Sequence, residues 1–539
     1  MRISRLLVLA LLAVSCGGRN QAAQEDGQRL FIGDDIAITQ TRYGTVQGYI
    51  LDGVYTYLGI PYGAPTGGEN RFLPPQEPEK WEGVRPALFY GNDAPQNNDN
   101  RWRNNASSFT DHWNYYDLSE DCLNLNVWTP APDGKKRPVM VWMHGGGFSS
   151  GNSVEQDGYK GANLARTGDI VFVSVNHRLN AFGFTDLSSC GDPKFKESGN
   201  VGVLDLVAAL KWVHDNIANF GGDPGNVTIM GQSGGGAKVC DVISMPSAKG
   251  LVHKAVALSG NATSAASQAT SAALGAAILK TVRGDVKKLQ AMPWQEYYAL
   301  AHKVSAEVGG GFSPVADGEV LPADGFFKDD VAANVPLLLC TTTSEFSLSK
   351  ESAEMEAMSF EDAVALVRDS YGQPEAEAIL KAYQEAFPAK KPIELVNLVV
   401  AQRRNVLATA NAKCKQDAPV YLAWFDYNAP LFDGRLRAFH CSDICYWYRN
   451  TDLMLTHTGG GAEPRKVSDQ MSAALLSFMR TGNPNCPEIP EWPAYTPEEA
   501  PTMIFGLKSE VRNAPDAKAL ALLSDFNPWR MRRAPAPKK

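Results

Sequence analysis

The pentapeptide Gly231-Gln232-Ser233-Gly234-Gly235 constrains this chain more than any other stretch. It fits G-x-S-x-G, and its neighbours give the fit meaning. Before it runs Val227-Thr228-Ile229-Met230, a β-branched segment that reads as a strand. After it come Gly236, Ala237, Lys238, Val239 and Cys240, which can open a helix. A serine held between strand and helix by small residues sits on a sharp turn with its hydroxyl above the sheet edge. Glycine suits such a turn because the backbone there is strained and closely approached. Alone, the pentapeptide also fits a glycine-rich turn with a spare serine; the strand–turn–helix context favours the first reading.

A second motif, His144-Gly145-Gly146-Gly147-Phe148, directly follows the apolar run Val139-Met140-Val141-Trp142-Met143. Acyl transfer passes through a tetrahedral oxyanion. Preformed backbone N–H groups must point at that oxygen, and successive glycines let the backbone come close. The donors are assigned to the N–H groups of Gly146, Gly147 and Gly234. His144 reads as a structural residue that orients the loop. No second His or Cys lies at metal-ligand spacing, so the motif does not imply a metal.

Strand-like runs recur at Val139–Met143, Ile170–Val175, Val227–Met230, Lys254–Leu258, Pro336–Thr341 and Val420–Tyr427. They are continuously apolar, as in a parallel sheet covered on both faces. Helical patterns such as Val203–Phe220 lie between them. The alternation predicts a doubly wound, mostly parallel α/β sheet with helices on both faces. Residues 350–415 read as a helical region over the active site, with Ser359 and Asp362 resembling a capping box. No composition break divides residues 31–527, which are expected to form a single domain.

At the N-terminus, Arg2 and Arg5 precede the apolar run Leu6–Val14, too short to span a bilayer. Residues 1–15 are expected to be a signal peptide and 16–30 a polar tether. Ser15-Cys16-Gly17-Gly18 looks like a bacterial lipoprotein site, with Cys16 lipidated, although Ala13 departs from the usual leucine. The alternative is a plain secretory peptide. On either reading the chain is exported, and it touches a membrane only through a lipid on Cys16. Residues 528–539, with Arg530, Arg532, Arg533, Lys538 and Lys539 among prolines, are expected to fray. The net charge of −8 gives no basic face for nucleic acid. Of nine cysteines, eight lie in the body, in no metal pattern. An exported chain could oxidise some of them. Cys441 and Cys445, four apart, would share a helix face as packing residues. No sequence feature sets an oligomeric state.

A serine is a weak nucleophile until a histidine takes its proton and a carboxylate fixes that histidine's tautomer. In the order Ser–acid–His, four histidines follow Ser233: His253, His302, His440 and His457. His440 is favoured because it lies late in the chain, just after a strand. For the acid, Glu345 follows the strand Pro336–Thr341, and a carboxylate there points into the crevice. Asp317 and Glu351 remain rivals at this point.

The chain resembles the type-B carboxylesterases, the cholinesterase/carboxylesterase branch of the α/β-hydrolases. The resemblance rests on Tyr57–Tyr62, Arg71-Phe72, Glu120–Pro130, Asn176–Leu179, Phe182–Phe184, Phe220–Pro224, Pro314–Gly318 and Arg480–Asn485, beside the two glycine motifs. It implies a serine esterase whose acid is the position of Glu345 and whose histidine is that of His440, with Asp317 in a structural motif. It implies no cofactor and a small-molecule ester as substrate. Three departures stand out. Gln232 replaces a frequent glutamate and lessens any preference for cationic substrates. Gly234 replaces a frequent alanine and loosens the turn. The disulfide partner that the family places upstream of Cys122 is absent from Asn92–Gln96. The loop from about 95 to 121 is therefore unstapled, and it carries Trp102, Trp113, Tyr115 and Tyr116. Specialised ester, amide or carbamate hydrolysis stays open. A non-catalytic binding protein is disfavoured because all three triad candidates are kept.

Overall fold

The computed structural model describes residues 27–97, 105–111 and 113–526. The expected signal peptide, Cys16, Trp102 and the basic tail lie outside the described residues. A 12-stranded sheet organises the rest. In chain order its strands are β1 (Leu30–Phe31), β2 (Tyr49–Leu51), β3 (Val54–Pro61), β4 (Asn124–Thr129), β5 (Arg137–Met143), β6 (Val171–Val175), β7 (Gly222–Gln232), β8 (Lys254–Leu258), β9 (Leu337–Thr342), β10 (Val420–Phe425), β11 (Pro501–Phe505) and β12 (Glu510–Asn513). In space they run β1-β2-β3-β4-β6-β5-β7-β8-β9-β10-β11-β12. From β6 to β11 every pairing is parallel; the pairings at both flanks are antiparallel. This is the α/β-hydrolase arrangement expected from the resemblance.

The continuous apolar runs are explained by two covered faces. Val139, Val141 and Met143 of β5 join a core with the helices Val201–Asn216 (α1), Gly234–Ile243 (α2) and Arg403–Lys413 (α3). Met140 and Trp142 turn the other way, into a core built with Ala462–Thr481 (α4). Each strand residue is buried whichever way it points, so alternation disappears from the sequence. The antiparallel flanking strands escape sequence reading: β1, β2 and β12 are short and not buried, and polar residues break the runs of β3 and β4. Between residues 350 and 415 the chain is helical, as expected, and Ser359 and Asp362 form the reciprocal capping box.

The parallel register sets where loops leave the sheet. Gly231 pairs with Met143, and Gln232 pairs with Leu258. The loops after β5, β7 and β8 therefore emerge side by side at one edge. Without a disulfide, the loop preceding Cys122 is closed by Asp93. Its backbone N–H donates to Asp117 at 2.9 Å, and its carboxylate accepts from the Tyr116 N–H and the Asn152 amide, each at 3.0 Å.

A buried ion pair ties the loop after β6 to α1. Arg178 donates through Nε and Nη2 to the two carboxylate oxygens of Asp205, at 2.8 and 2.6 Å, with both side chains inaccessible. Breaking such a pair leaves an uncompensated buried charge. Asp205→Asn should cost about 3–5 kcal/mol. The exposed Lys381–Glu377 pair, broken by Glu377→Gln, should cost no more than about 0.5 kcal/mol. Urea unfolding midpoints of the two variants check both statements.

Candidate functional site

Ser233 occupies the turn between β7 and α2 with φ 58° and ψ −124°, a strained conformation for a residue with a side chain. The turn is held from three sides. The Ser233 N–H donates to the Leu258 carbonyl at 2.8 Å. A Cβ at Gly235 would lie 2.0 Å from the Met143 carbonyl oxygen, so only glycine fits there. A Cβ at Gly234 would lie 2.2 Å from the Gly147 carbonyl oxygen. The glycine in place of the frequent alanine is thus a packing requirement in this chain: it lets the loop after β5 touch the first turn of α2. The looser turn expected from sequence is not what the contacts describe.

That loop runs from His144 to Phe148, with left-handed φ values of 79° and 63° at Gly146 and Gly147. The His144 ring accepts no solvent; its Nδ1 lies 3.0 Å from the Gly145 carbonyl, and the ring stacks on His177 at 5.1 Å. Burial, aided by the nearby Lys238 charge, holds the His144 pKa well below the ordinary value, so the ring is neutral.

Glu345 and His440 come together from neighbouring loops. Ser344 and Phe439 form a short parallel bridge, and the His440 N–H donates to the Glu345 carbonyl at 3.3 Å. This backbone pairing sets the side chains face to face. His440 Nδ1 lies 2.5 Å from Glu345 Oε2, while Glu345 Oε1 accepts from the Thr342 N–H at 2.9 Å. Both carboxylate oxygens are thereby occupied, and the side chain is fully buried. In the neutral ring this contact favours the proton on Nδ1, which leaves the lone pair on Nε2.

Burial works against charge on His440, but Cys441 and Glu345 outweigh it and raise the pKa well above the ordinary value. Burial also pushes the Cys441 thiol up, against the neighbouring His440. Burial, with the Glu345 charge, lifts Asp443 to about 7. The Gln232 amide nitrogen sits 3.3 Å from His440 Nε2 and 3.4 Å from Nδ1. Nearly equal distances place it off both lone-pair directions. Its carbonyl oxygen accepts from the Cys441 thiol at 3.3 Å, which fixes the amide orientation. Cys441 precedes the short helix Ile444–Trp447 that holds Cys445, so the two do not share a helix face. Both are buried packing residues of one core cluster, as expected, and Cys441 also lines the cavity. All eight cysteines of the described residues are unpaired.

The rival residues lie elsewhere in roles of their own. Asp317 accepts from Asn200 and from three successive backbone N–H groups, Glu319 to Leu321. Glu351 caps the short helix Ala106–Thr110 through the N–H groups of Ala106 and Ser107. His253 Nδ1 accepts from the Val227 N–H, His302 packs on Tyr298 and Phe312, and His457 bonds to the Thr110 carbonyl.

Ser233, His440, Gly146, Gly147 and Gly234 line one cavity of about 540 Å³. Trp113, Glu155, Tyr159, Asn261, Gln402 and Asn405 also form part of its wall. Of these, only Trp113 was legible beforehand, as one aromatic of the unstapled loop. Tyr115 lies 3.5 Å from Glu155, and Tyr116 packs on Tyr90 at 5.2 Å. Glu155, which accepts from the Tyr159 hydroxyl at 2.9 Å, comes from the stretch after Phe148, where no motif marks it. Gln402 and Asn405 lie at the start of α3, where periodicity announces a helix and nothing more.

The parallel sheet, the strained serine turn at its edge and the cavity above it define an α/β-hydrolase. A model of the carboxylesterase family matches residues 35–523, and the chain belongs to that family. It is 34% identical over 493 residues to the para-nitrobenzyl esterase of Bacillus subtilis (strain 168), covering 89% of this chain and 97% of that protein. It is 29% identical to the phenmedipham hydrolase of Pseudarthrobacter oxydans, covering 87% and 95%. Among solved structures it is similar to an esterase of Clostridium hathewayi described as hydrolysing aliphatic aromatic polyesters. That match has a TM-score of 0.81 and 35% identity, and covers 92% of this chain and 99% of that one. The chain is a carboxylic-ester hydrolase.

A base must be neutral to accept a proton, so activity that depends on His440 is lost as pH falls through its raised pKa. The acid limb of kcat/KM should lie above the ordinary histidine value of about 6.5. Gln232→Glu adds a second carboxylate beside the ring and should move that limb to still higher pH. A pH–rate profile of the two proteins measures the shift; a limb at or below the ordinary value in both would remove the basis for it.

Proposed function

We propose that the chain hydrolyses carboxylic esters through an acyl-enzyme on Ser233, with His440 as general base and acid and Glu345 as the residue that orients it. The observation that carries this reading is the His440 Nδ1–Glu345 Oε2 contact of 2.5 Å at the cavity that also holds Ser233 and the glycine loop.

In this mechanism Ser233 Oγ attacks the acyl carbon and gives its proton to His440 Nε2. Glu345 holds the imidazole through Nδ1 and stabilises the imidazolium. The carbonyl oxygen becomes an oxyanion that accepts hydrogen bonds from the N–H groups of Gly146, Gly147 and Gly234. Collapse of the intermediate breaks the bond to the alkoxy oxygen, which leaves with the proton from His440. Water then enters, gives a proton to His440 and attacks the acyl carbon; the bond to Ser233 Oγ breaks, His440 returns the proton to Oγ, and the acid leaves. The mechanism calls for no cofactor.

The three-glycine loop and the open cavity suit small-molecule esters with bulky groups, including aromatic ones of the kind suggested by the polyester-cleaving relative. The Gln232 amide supplies no charge for a cationic alcohol. We also propose that the protein is exported and held at a membrane by a lipid on Cys16. Detergent phase partition of wild type against Cys16→Ser tests this, and equal partition of the two would refute it.

The catalytic assignment is checked with p-nitrophenyl butyrate. Ser233→Ala should lower kcat on the order of 10⁶-fold. Glu345→Gln should lower it by about 10⁴-fold. Near-normal turnover by a folded Ser233→Ala would end the proposal. Labelling of Ser233 by a fluorophosphonate, absent from the alanine variant, gives an independent readout.

A further inference from the structure

Lys238 lies in the first turns of α2, five residues after Ser233, and its side chain is completely inaccessible. Nothing in the reaction just described uses it. Burying an ammonium is costly, and an apolar residue of the same length would fill the space without that cost. Asp241, one turn further along α2, and Glu155 act on it through space, and none of the ion pairs among the described residues includes it. Its Nζ instead donates to the His144 carbonyl at 2.9 Å. That carbonyl is the first to leave the β5 ladder, since the strand ends at Met143. The same Nζ lies 5.7 Å from the centre of the Phe148 ring, within cation–π range. One side chain therefore touches both ends of the loop His144–Phe148, at the peptide where it begins and the ring where it ends. Burial lowers Lys238 to about 7, and Glu155 and Asp241 oppose the shift. An amine donates a hydrogen bond in either protonation state.

We propose that Lys238 is a positioning residue for the oxyanion loop, a clamp beneath His144–Phe148 that keeps the Gly146 and Gly147 N–H groups aimed at the developing negative oxygen. The inference rests on the reaction proposed above. Gly146 and Gly147 both hold left-handed φ values, and neither has a side chain to anchor it. Gly147 meets Gly234 backbone to backbone. The Gly146 carbonyl accepts from the Ser149 and Ser150 N–H groups at 3.2 and 3.1 Å, which closes the turn beyond Gly147 and leaves its aim to the contacts at its two ends. Of these, the Asn180 N–H bond to the Phe148 carbonyl at 2.7 Å fixes one end, and Lys238 fixes the other.

Lys238→Met keeps length and removes the donor. A purely structural lysine would change stability and leave transition-state binding alone. A clamp acts mainly on the transition state. Removing one oxyanion donor costs roughly 100- to 1000-fold. Misaiming donors that are still present should cost less, roughly 10- to 100-fold in kcat for p-nitrophenyl butyrate, with KM changed by no more than about twofold. A trifluoromethyl ketone, whose adduct with Ser233 carries the same oxyanion, should lose affinity by the same factor as kcat/KM. Lys238→Gln, which keeps a shorter donor, should lie between wild type and Lys238→Met on both measures, and it decides the matter if the methionine variant does not fold. Wild-type kcat and ketone affinity in a folded variant would overturn the proposal, as would a loss of kcat with ketone affinity unchanged. If wild type neither hydrolyses the ester nor binds the ketone, the esterase mechanism itself fails and the clamp falls with it.

Discussion

The site depends on how closely backbone can approach backbone at the C-terminal edge of the sheet. Gly147 lies against Gly234, Gly235 against the Met143 carbonyl, and Gly260 against the Ser233 carbonyl. Each contact is closer than any Cβ would allow. The parallel register of β5, β7 and β8 brings these segments to one level, and the missing side chains let them touch. Ser233 is strained because its neighbours over-determine its position, the condition under which such strain persists in a folded chain. The surrounding sheet, buried on both faces, supplies the rigidity.

On this frame sit several buried ionisable groups. Glu345, Lys238, Asp241 and Asp443 are all inaccessible within the same region. Each answers burial differently. Glu345 spends one oxygen on the Thr342 N–H and the other on His440. Lys238 is lowered and donates to a carbonyl; Asp241 and Asp443 are raised to about 8 and about 7. Groups with such different proton affinities packed together are a mark of functional sites. Here they lie around His440, the base of the proposed mechanism.

Much of this was legible beforehand, and the reason is local. The central strands could be read because two covered faces force unbroken apolar runs. Lys254–Leu258 has the same bounds in the structure as in the reading. β7 begins five residues before the expected Val227 because its start, Gly222 to Asn226, is polar. Among the antiparallel flanking strands, β1, β2 and β12 were missed because they are short and not buried, and β3 and β4 because polar residues interrupt their apolar runs. Ser233 and the glycine loop stood out because their chemistry needs residue types at fixed spacing. Glu345 and His440 were harder, since one carboxylate and one histidine among several look alike in a list of residues.

The sequence alone determined the class of fold, the position of the serine turn and the glycine loop, because each rests on hydrogen bonding and sterics within a few residues. It also determined that no upstream cysteine could staple the loop before Cys122. Only the tertiary structure decided that Gly234 is demanded by the Gly147 carbonyl, that Asp93 closes the unstapled loop, and that Glu155, Gln402 and Asn405 share a cavity with Ser233. It likewise decided that Cys441 faces the site while Cys445 does not, and that Lys238 reaches the His144 carbonyl. These facts depend on contacts between segments tens to hundreds of residues apart. Such contacts are set by the packing of whole layers, and no local pattern along the chain encodes them.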